Sequence, residues 1–241
     1  MKKPPGKILI TVTLITVLSI RLFGQTTVSG GIYTNATWTV TNSPYIVTAN
    51  VVVFPGVTLT IEPGVVVKFN NGTYLEIRQA SLIANGNAID SIIFTSNSPS
   101  PTPGIWGNSY YGGIWLNSAL INSTFNFIRI EYATIGIKNA SHITGIKNSV
   151  FTYNLTGLGG ISNSLIDSCI FNFNTMGMNS INNCLINFCT IANNINGIGS
   201  LTGSSLINSV IDSNQTGVGG VSSVDGTEIT NCSICYNQTG I

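Results

Sequence analysis

The side chains able to do chemistry are few and far apart. The acidic residues are Glu62, Glu76, Asp90, Glu131, Asp167, Asp212, Asp225 and Glu228. Glycosidic cleavage needs two carboxyl groups flanking one bond, and calcium needs a cage of oxygen ligands. No two of these eight fall at a spacing or repeat phase that would bring them together. The one histidine, His142, sits in Ala-Ser-His-Ile with no partner in view. A catalytic imidazole needs an orienting group, so a turn or surface position is the better reading. Cys232 and Cys235 have the spacing of a redox or zinc pair. A second pair and histidine partners are missing, and a three-residue offset on a strand points the two to opposite faces. No catalytic residue, cofactor or metal is therefore expected. The remaining chemistry is aromatic. Trp106, Tyr110 and Tyr111 lie in a Pro- and Gly-rich break at 97–112, where they could stack on sugar rings. A loop that folds these rings back onto its own scaffold is the competing reading.

The elements that would position such residues repeat. Phe151-Thr-Tyr-Asn154-x-x-Gly157 returns as Phe171-Asn-Phe-Asn174-x-x-Gly177 and Ile191-Ala-Asn-Asn194-x-x-Gly197. It returns again as Ile211-Asp-Ser-Asn214-x-x-Gly217 and Ile234-Cys-Tyr-Asn237-x-x-Gly240, with the Asn residues 20, 20, 20 and 23 positions apart. A fixed period of this size marks a solenoid. Eight residues before each Asn stand Ile146, Ile166, Ile186, Leu206 and Ile229. Five before stand Ser149, Cys169, Cys189, Ser209 and Cys232, a column of small core fillers. Four after stand Leu158, Met178, Ile198, Val218 and Ile241. Apolar slots with period two, interrupted by Asn and Gly, predict three short strands per coil and exclude one helical stripe. Coils stacked about 4.8 Å apart would place like above like. Asn154, Asn174, Asn194, Asn214 and Asn237 are then expected to form a structural ladder, with left-handed backbone at the Asn and at the following Gly.

The chain outside the repeats supports one elongated domain. Of 241 residues, 43% are hydrophobic and 7% charged, against about 25% charged in ordinary soluble domains. Lys2, Lys3 and Lys7 precede a thirteen-residue apolar run, Ile8 to Ile20. That run is short for a membrane span, so residues 1–25 read as a cleaved signal peptide, with an uncleaved anchor as the alternative. Export to the outside or the cell surface follows, with no membrane span after cleavage. The rest carries five basic and eight acidic residues, which gives no footprint for nucleic acid. Residues 26–44 lie outside the coil pattern and are expected to be an N-terminal cap, with Trp38 covering the core. Residues 45–241 form the solenoid, with 97–112 as an excursion. Trp115, in Gly-Ile-Trp-Leu, is expected to pack. The chain stops in mid-coil just past Gly240, which predicts a truncated C-terminal end.

The pattern apolar, Asn-Ser, apolar, x-x-Asn-x-x-Gly-apolar resembles the right-handed parallel β-helix of the pectate-lyase-like superfamily. Leu59-x-Ile61-x-Pro63-Gly64 and Ile92-Ile-Phe94-Thr95-Ser96 are similar to the opening coils of secreted bacterial β-helix proteins. The Phe-x-x-Asn copies at 151–154 and 171–174 are similar to repeats of bacterial surface passenger domains. The resemblance implies an all-β fold with about 20 residues per coil. It implies a non-catalytic secreted or cell-surface protein, structural, adhesive or glycan-contacting, whose partner would be a polysaccharide or cell-surface glycan. The alternative it carries is a polysaccharide lyase or glycoside hydrolase.

Overall fold

The computed structural model describes residues 24–119, 122–141, 145–222 and 226–241. The expected signal peptide lies outside these residues apart from its last two, as do His142 and Asp225. Among the described residues no helix is long and apolar enough to cross a membrane. The chain winds into a parallel β-solenoid of about 10 turns, about 21 residues apart. One 19-stranded sheet and one 9-stranded sheet form its walls. A 3-10 turn, Val40–Asn42, interrupts the strands near the start of the described residues.

Like sits above like, because every strand pairs with its equivalent one coil away. Ile146 lies beside Ile166, Ile166 beside Ile186, Ile186 beside Leu206, and Leu206 beside Ile229. A second column runs Phe151, Phe171, Ile191, Ile211, Ile234. The rings of Phe151 and Phe171 stack 5.0 Å apart and nearly parallel. These columns are almost wholly buried, and burial of each large aliphatic contributes about 1.5–3 kcal/mol that no isolated coil could secure. Cys169 and Cys189 are buried in the small-residue column, and every cysteine is a free thiol. Burial pushes the Cys169 thiol well above its usual range, as expected of an inert core filler.

The Asn column is a continuous hydrogen-bonded rail. Asn174 Oδ1 accepts from Asn154 N at 2.9 Å and from Asn154 Nδ2 at 3.0 Å. Asn194, Asn214 and Asn237 repeat the arrangement one coil at a time. Each Nδ2 also donates to a carbonyl one coil back, Ile130 for Asn154 and Phe151 for Asn174. Ala133, in the ladder phase one coil earlier, contributes its backbone N–H to Asn154 Oδ1 at 2.9 Å.

The turn chemistry differs from the sequence expectation. Neither the ladder Asn nor the Gly after it is left-handed. Positive φ falls on the preceding residue: Tyr153 55°, Phe173 55°, Asn193 56°, Ser213 54° and Tyr236 52°. Left-handed backbone at that point turns the ladder amide inward. The Gly is required for clearance instead. A Cβ on Gly157 would lie 2.5 Å from the Gly177 carbonyl oxygen, and one on Gly177 would lie 2.5 Å from that of Gly197. The expected three strands per coil hold through Met176–Asn182 and give way to four after it. Thr156–Ser162 and Met176–Asn182 bend at Gly160 and Ser180, both with positive φ. One coil later the same stretch splits into Asn196–Ile198 and Leu201–Thr202, which makes four short strands per coil.

Residues 26–44 are laddered like the rest. Thr26–Ile32 pairs in parallel with Tyr45–Val53, and Ala36–Trp38 pairs with Thr58–Ile61. They form the first coil, whose second strand ends at Trp38 just before the 3-10 turn. Trp38 is buried and stacks on Tyr45 at 4.9 Å.

An inner rung of the Asn rail satisfies groups in two neighbouring coils, and an end rung in one. Asn194→Ala is expected to lower stability by about 2–4 kcal/mol and Asn237→Ala by clearly less. Urea midpoints of the two variants check this order.

Candidate functional site

The 97–112 stretch divides into three parts with different fates. Ser98–Gly104 runs outside the wall and returns at Ile105, whose N–H donates to the Tyr132 carbonyl at 3.1 Å. Trp106 then enters the core with 0% exposure. Its ring stacks on Phe69 at 4.0 Å, and its Nε1–H donates to the Glu131 carbonyl at 2.7 Å. It pairs with Ala133, so the indole heads the column that continues as the Asn rail. Gly113 makes room for it: a Cβ there would lie 2.5 Å from the indole. The expectation that Trp106 contacts a glycan is therefore corrected, because no ligand can reach a ring that the core encloses.

Residues 108–112 form a tight protruding turn. Asn108 and Gly112 exchange backbone hydrogen bonds, and Asn108 Oδ1 caps Tyr110 N and Tyr111 N at 3.0 and 2.7 Å. Lys138 anchors the turn through its Nζ, which donates to the carbonyls of Ser109 and Tyr110. Tyr110 is 71% exposed. Tyr111 lies against the outer face of the wall, between Tyr74 at 4.9 Å and Trp115 at 4.6 Å, with Tyr110 edge-on at 4.7 Å. The turn thus completes a four-ring aromatic wall. Two members were visible in the sequence as loop residues. Trp115 was expected only to pack, and nothing in the sequence drew Tyr74 to this cluster. Strand register joins them: Trp115 pairs with Glu76, two residues from Tyr74, and both point outward. The Trp115 indole N–H is buried without a hydrogen-bond partner.

Beside this wall lies the most enclosed carboxylate. Glu76 is 1% exposed although it projects from the outer sheet face, because its neighbours cover it. Arg78 Nε and Nη2 hold its two oxygens at 2.7 and 2.8 Å, and Asn117 Nδ2 donates at 2.8 Å. Burial opposes ionisation, but the Arg78 and Asn117 hydrogen bonds outweigh it and hold the Glu76 carboxyl below its usual value. Arg78 in turn covers the Phe54 ring at 5.3 Å, and Phe54 stacks on Tyr33. Glu131 repeats the device, accepting from Arg129 Nε at 2.7 Å and Thr95 Oγ1 at 2.9 Å. The Glu76 carboxyl, held low by Arg78 and Asn117, is a poor general acid. Among the described residues no three His, Cys, Asp or Glu side chains come together as metal ligands. The Cys232 thiol faces the Leu206 and Thr230 carbonyls, whereas that of Cys235 lies by Asp212 and Ser233.

Two measurements test this geometry. Trp106→Ala is expected to cost about 3–5 kcal/mol of stability, and Tyr110→Ala less than about 0.5, read from thermal midpoints. Because the Glu76 carboxyl titrates lower in the folded chain than in the unfolded one, its contribution is present above about pH 4.5 and is lost as pH falls through the lower folded value. Glu76→Gln should therefore flatten the acid limb of the stability profile and lower its plateau.

Residues 30–125 match the family model described as the pectate-lyase-like β-helix domain. None of the curated proteins and none of the solved structures matches the chain. The matched segment ends where the regular Asn coils have yet to begin, and the parallel ladder continues unbroken through them. The stacking and this match together support a right-handed parallel β-helix fold, in which residues 30–125 are similar to the pectate-lyase-like β-helix domain.

Proposed function

We propose that this chain is an exported, non-catalytic β-helix that contacts glycans at the cell surface or outside the cell. The observation that carries the reading is the aromatic wall of Tyr74, Tyr110, Tyr111 and Trp115, held on a rigid sheet face. Sugar rings present apolar C–H faces that pack on aromatic rings, and their hydroxyls need fixed polar neighbours. Asn117 and Lys138 place such groups beside the wall. The basic and apolar start of the sequence supports export, and the acidic balance of the remainder gives nucleic acid no purchase. The guanidinium clamp on Glu76 favours binding over acid catalysis there.

The test is a screen of the full chain against plant, fungal and bacterial polysaccharides, with binding and product release read separately. Binding without product is expected. Tyr110→Ser with Tyr111→Ser should weaken it about tenfold, or about 1.4 kcal/mol. Release of reducing or unsaturated ends, abolished by Glu76→Gln, would instead establish a carbohydrate-active enzyme.

A further inference from the structure

A second surface feature lies on the opposite side of the Asn rail from the core. The left-handed corner position carries Tyr132, Tyr153 and Phe173 in successive coils, stacked at 5.8 and 5.4 Å with nearly parallel rings. The stack then stops. Asn193 and Ser213 occupy the next two corners, and Tyr236 the one after. Phe173 and Tyr236 are thus three coils apart, about 14 Å at the usual strand spacing, with two ring positions vacant between them. The gap opens into a groove of about 580 Å³, within the roughly 300–1,000 Å³ of ordinary ligand sites.

The lining chemistry narrows the ligand. Besides the two rings, Thr175, Ile195, Gln215 and Gln238 line the groove, and no charged residue does among those described. The neighbouring carboxylate, Asp212, accepts from Ser213 Oγ at 3.0 Å and is not part of the lining. The amides of Asn193, Gln215 and Gln238 make no side-chain hydrogen bond within the described protein. That is unlike another outer corner of the same coils. There Asn187 Nδ2 donates to Asp167, Asn208 Nδ2 to Asn187 and Asn231 Nδ2 to Asn208, each closing on the last. Amides at this groove are left with donors and acceptors to offer, between two rings with accessible faces. Phe173 is 48% and Tyr236 86% exposed.

We propose that the groove between Phe173 and Tyr236 is a binding site for an uncharged oligosaccharide lying along the solenoid axis. Its terminal sugars stack on the two rings, and the hydroxyls between them meet the free amides of Asn193, Gln215 and Gln238. A polyuronate or a nucleic acid finds no cation here. The site is separate from the aromatic wall at Tyr110 and does not rest on the function proposed for that wall.

The test titrates the full chain with hexasaccharides derived from cellulose, xylan, mannan and starch, and with hexagalacturonate as the charged comparison. The side-chain amide signals of Asn193, Gln215 and Gln238 report binding locally. At least one neutral hexasaccharide is expected to shift them saturably and independently of salt. Phe173→Asn and Tyr236→Ser should each weaken it about fivefold, or about 1 kcal/mol, while Tyr110→Ser leaves it unchanged. These two substitutions copy the residues that Asn193 and Ser213 already place at the same left-handed corner, so the backbone accepts them. No response to any neutral hexasaccharide, a response to hexagalacturonate alone, or binding that survives both substitutions overturns the proposal. Binding that Tyr110→Ser abolishes and Phe173→Asn spares overturns it while leaving the wall's role standing.

Discussion

The structure depends on in-register parallel stacking. A coil of about twenty residues closes on itself and presents unpaired backbone groups above and below, and only another coil of the same shape satisfies them. Every position then lies next to its own repeat, so one choice is made many times over. The Gly column shows how strict this becomes. The carbonyl of each Gly approaches the preceding one too closely for a Cβ, and the same clearance recurs from Gly136 to Gly217. The buried Asn rail obeys the same logic. A polar amide inside a core is costly when unpaired, and here each has a partner one step along the axis.

The functional surfaces follow from the same geometry used differently. On the outer sheet face, strand register brings Tyr74 and Trp115 side by side, and a turn pinned by Lys138 supplies Tyr111 between them. The rings are held by backbone that cannot shift without breaking the ladder on either side. Such a wall is ordered in advance, so little conformational freedom is lost when something docks on it. Glu76 and Arg78 on the neighbouring positions satisfy each other and stabilise the wall's floor.

The columns of the back half were readable because the repeat prints each core position several times in one chain. Ile166 or Phe171 alone would have been ambiguous, and five aligned copies were not. What stayed hidden has identifiable causes. The left-handed corner could not be placed because Tyr, Phe, Asn and Ser all occupy it, and no residue type announces it. The first coil was set apart because residues 26–44 lack the Asn-x-x-Gly spacing of later coils, although the backbone of Thr26–Ile32 pairs as theirs does. The aromatic cluster in 97–112 looked like a single loop. Trp106 was separated from Tyr110 and Tyr111 by a Gly that sends the chain from the core back to the surface, and composition does not reveal which ring goes inward. Tyr74 and Trp115 are 41 residues apart, and only register puts them together.

The left-handed corners have a further implication. At one corner of the coil, φ stays between 52° and 66° while the side chain changes from Tyr132 through Phe173, Asn193 and Ser213 to Tyr236. The frame there is indifferent to what it displays. Substitutions at these corners alter a surface pattern one coil at a time and leave the interior untouched. The molecule behaves as a ruled sheet on which recognition can be rewritten, line by line, at about 4.8 Å per line.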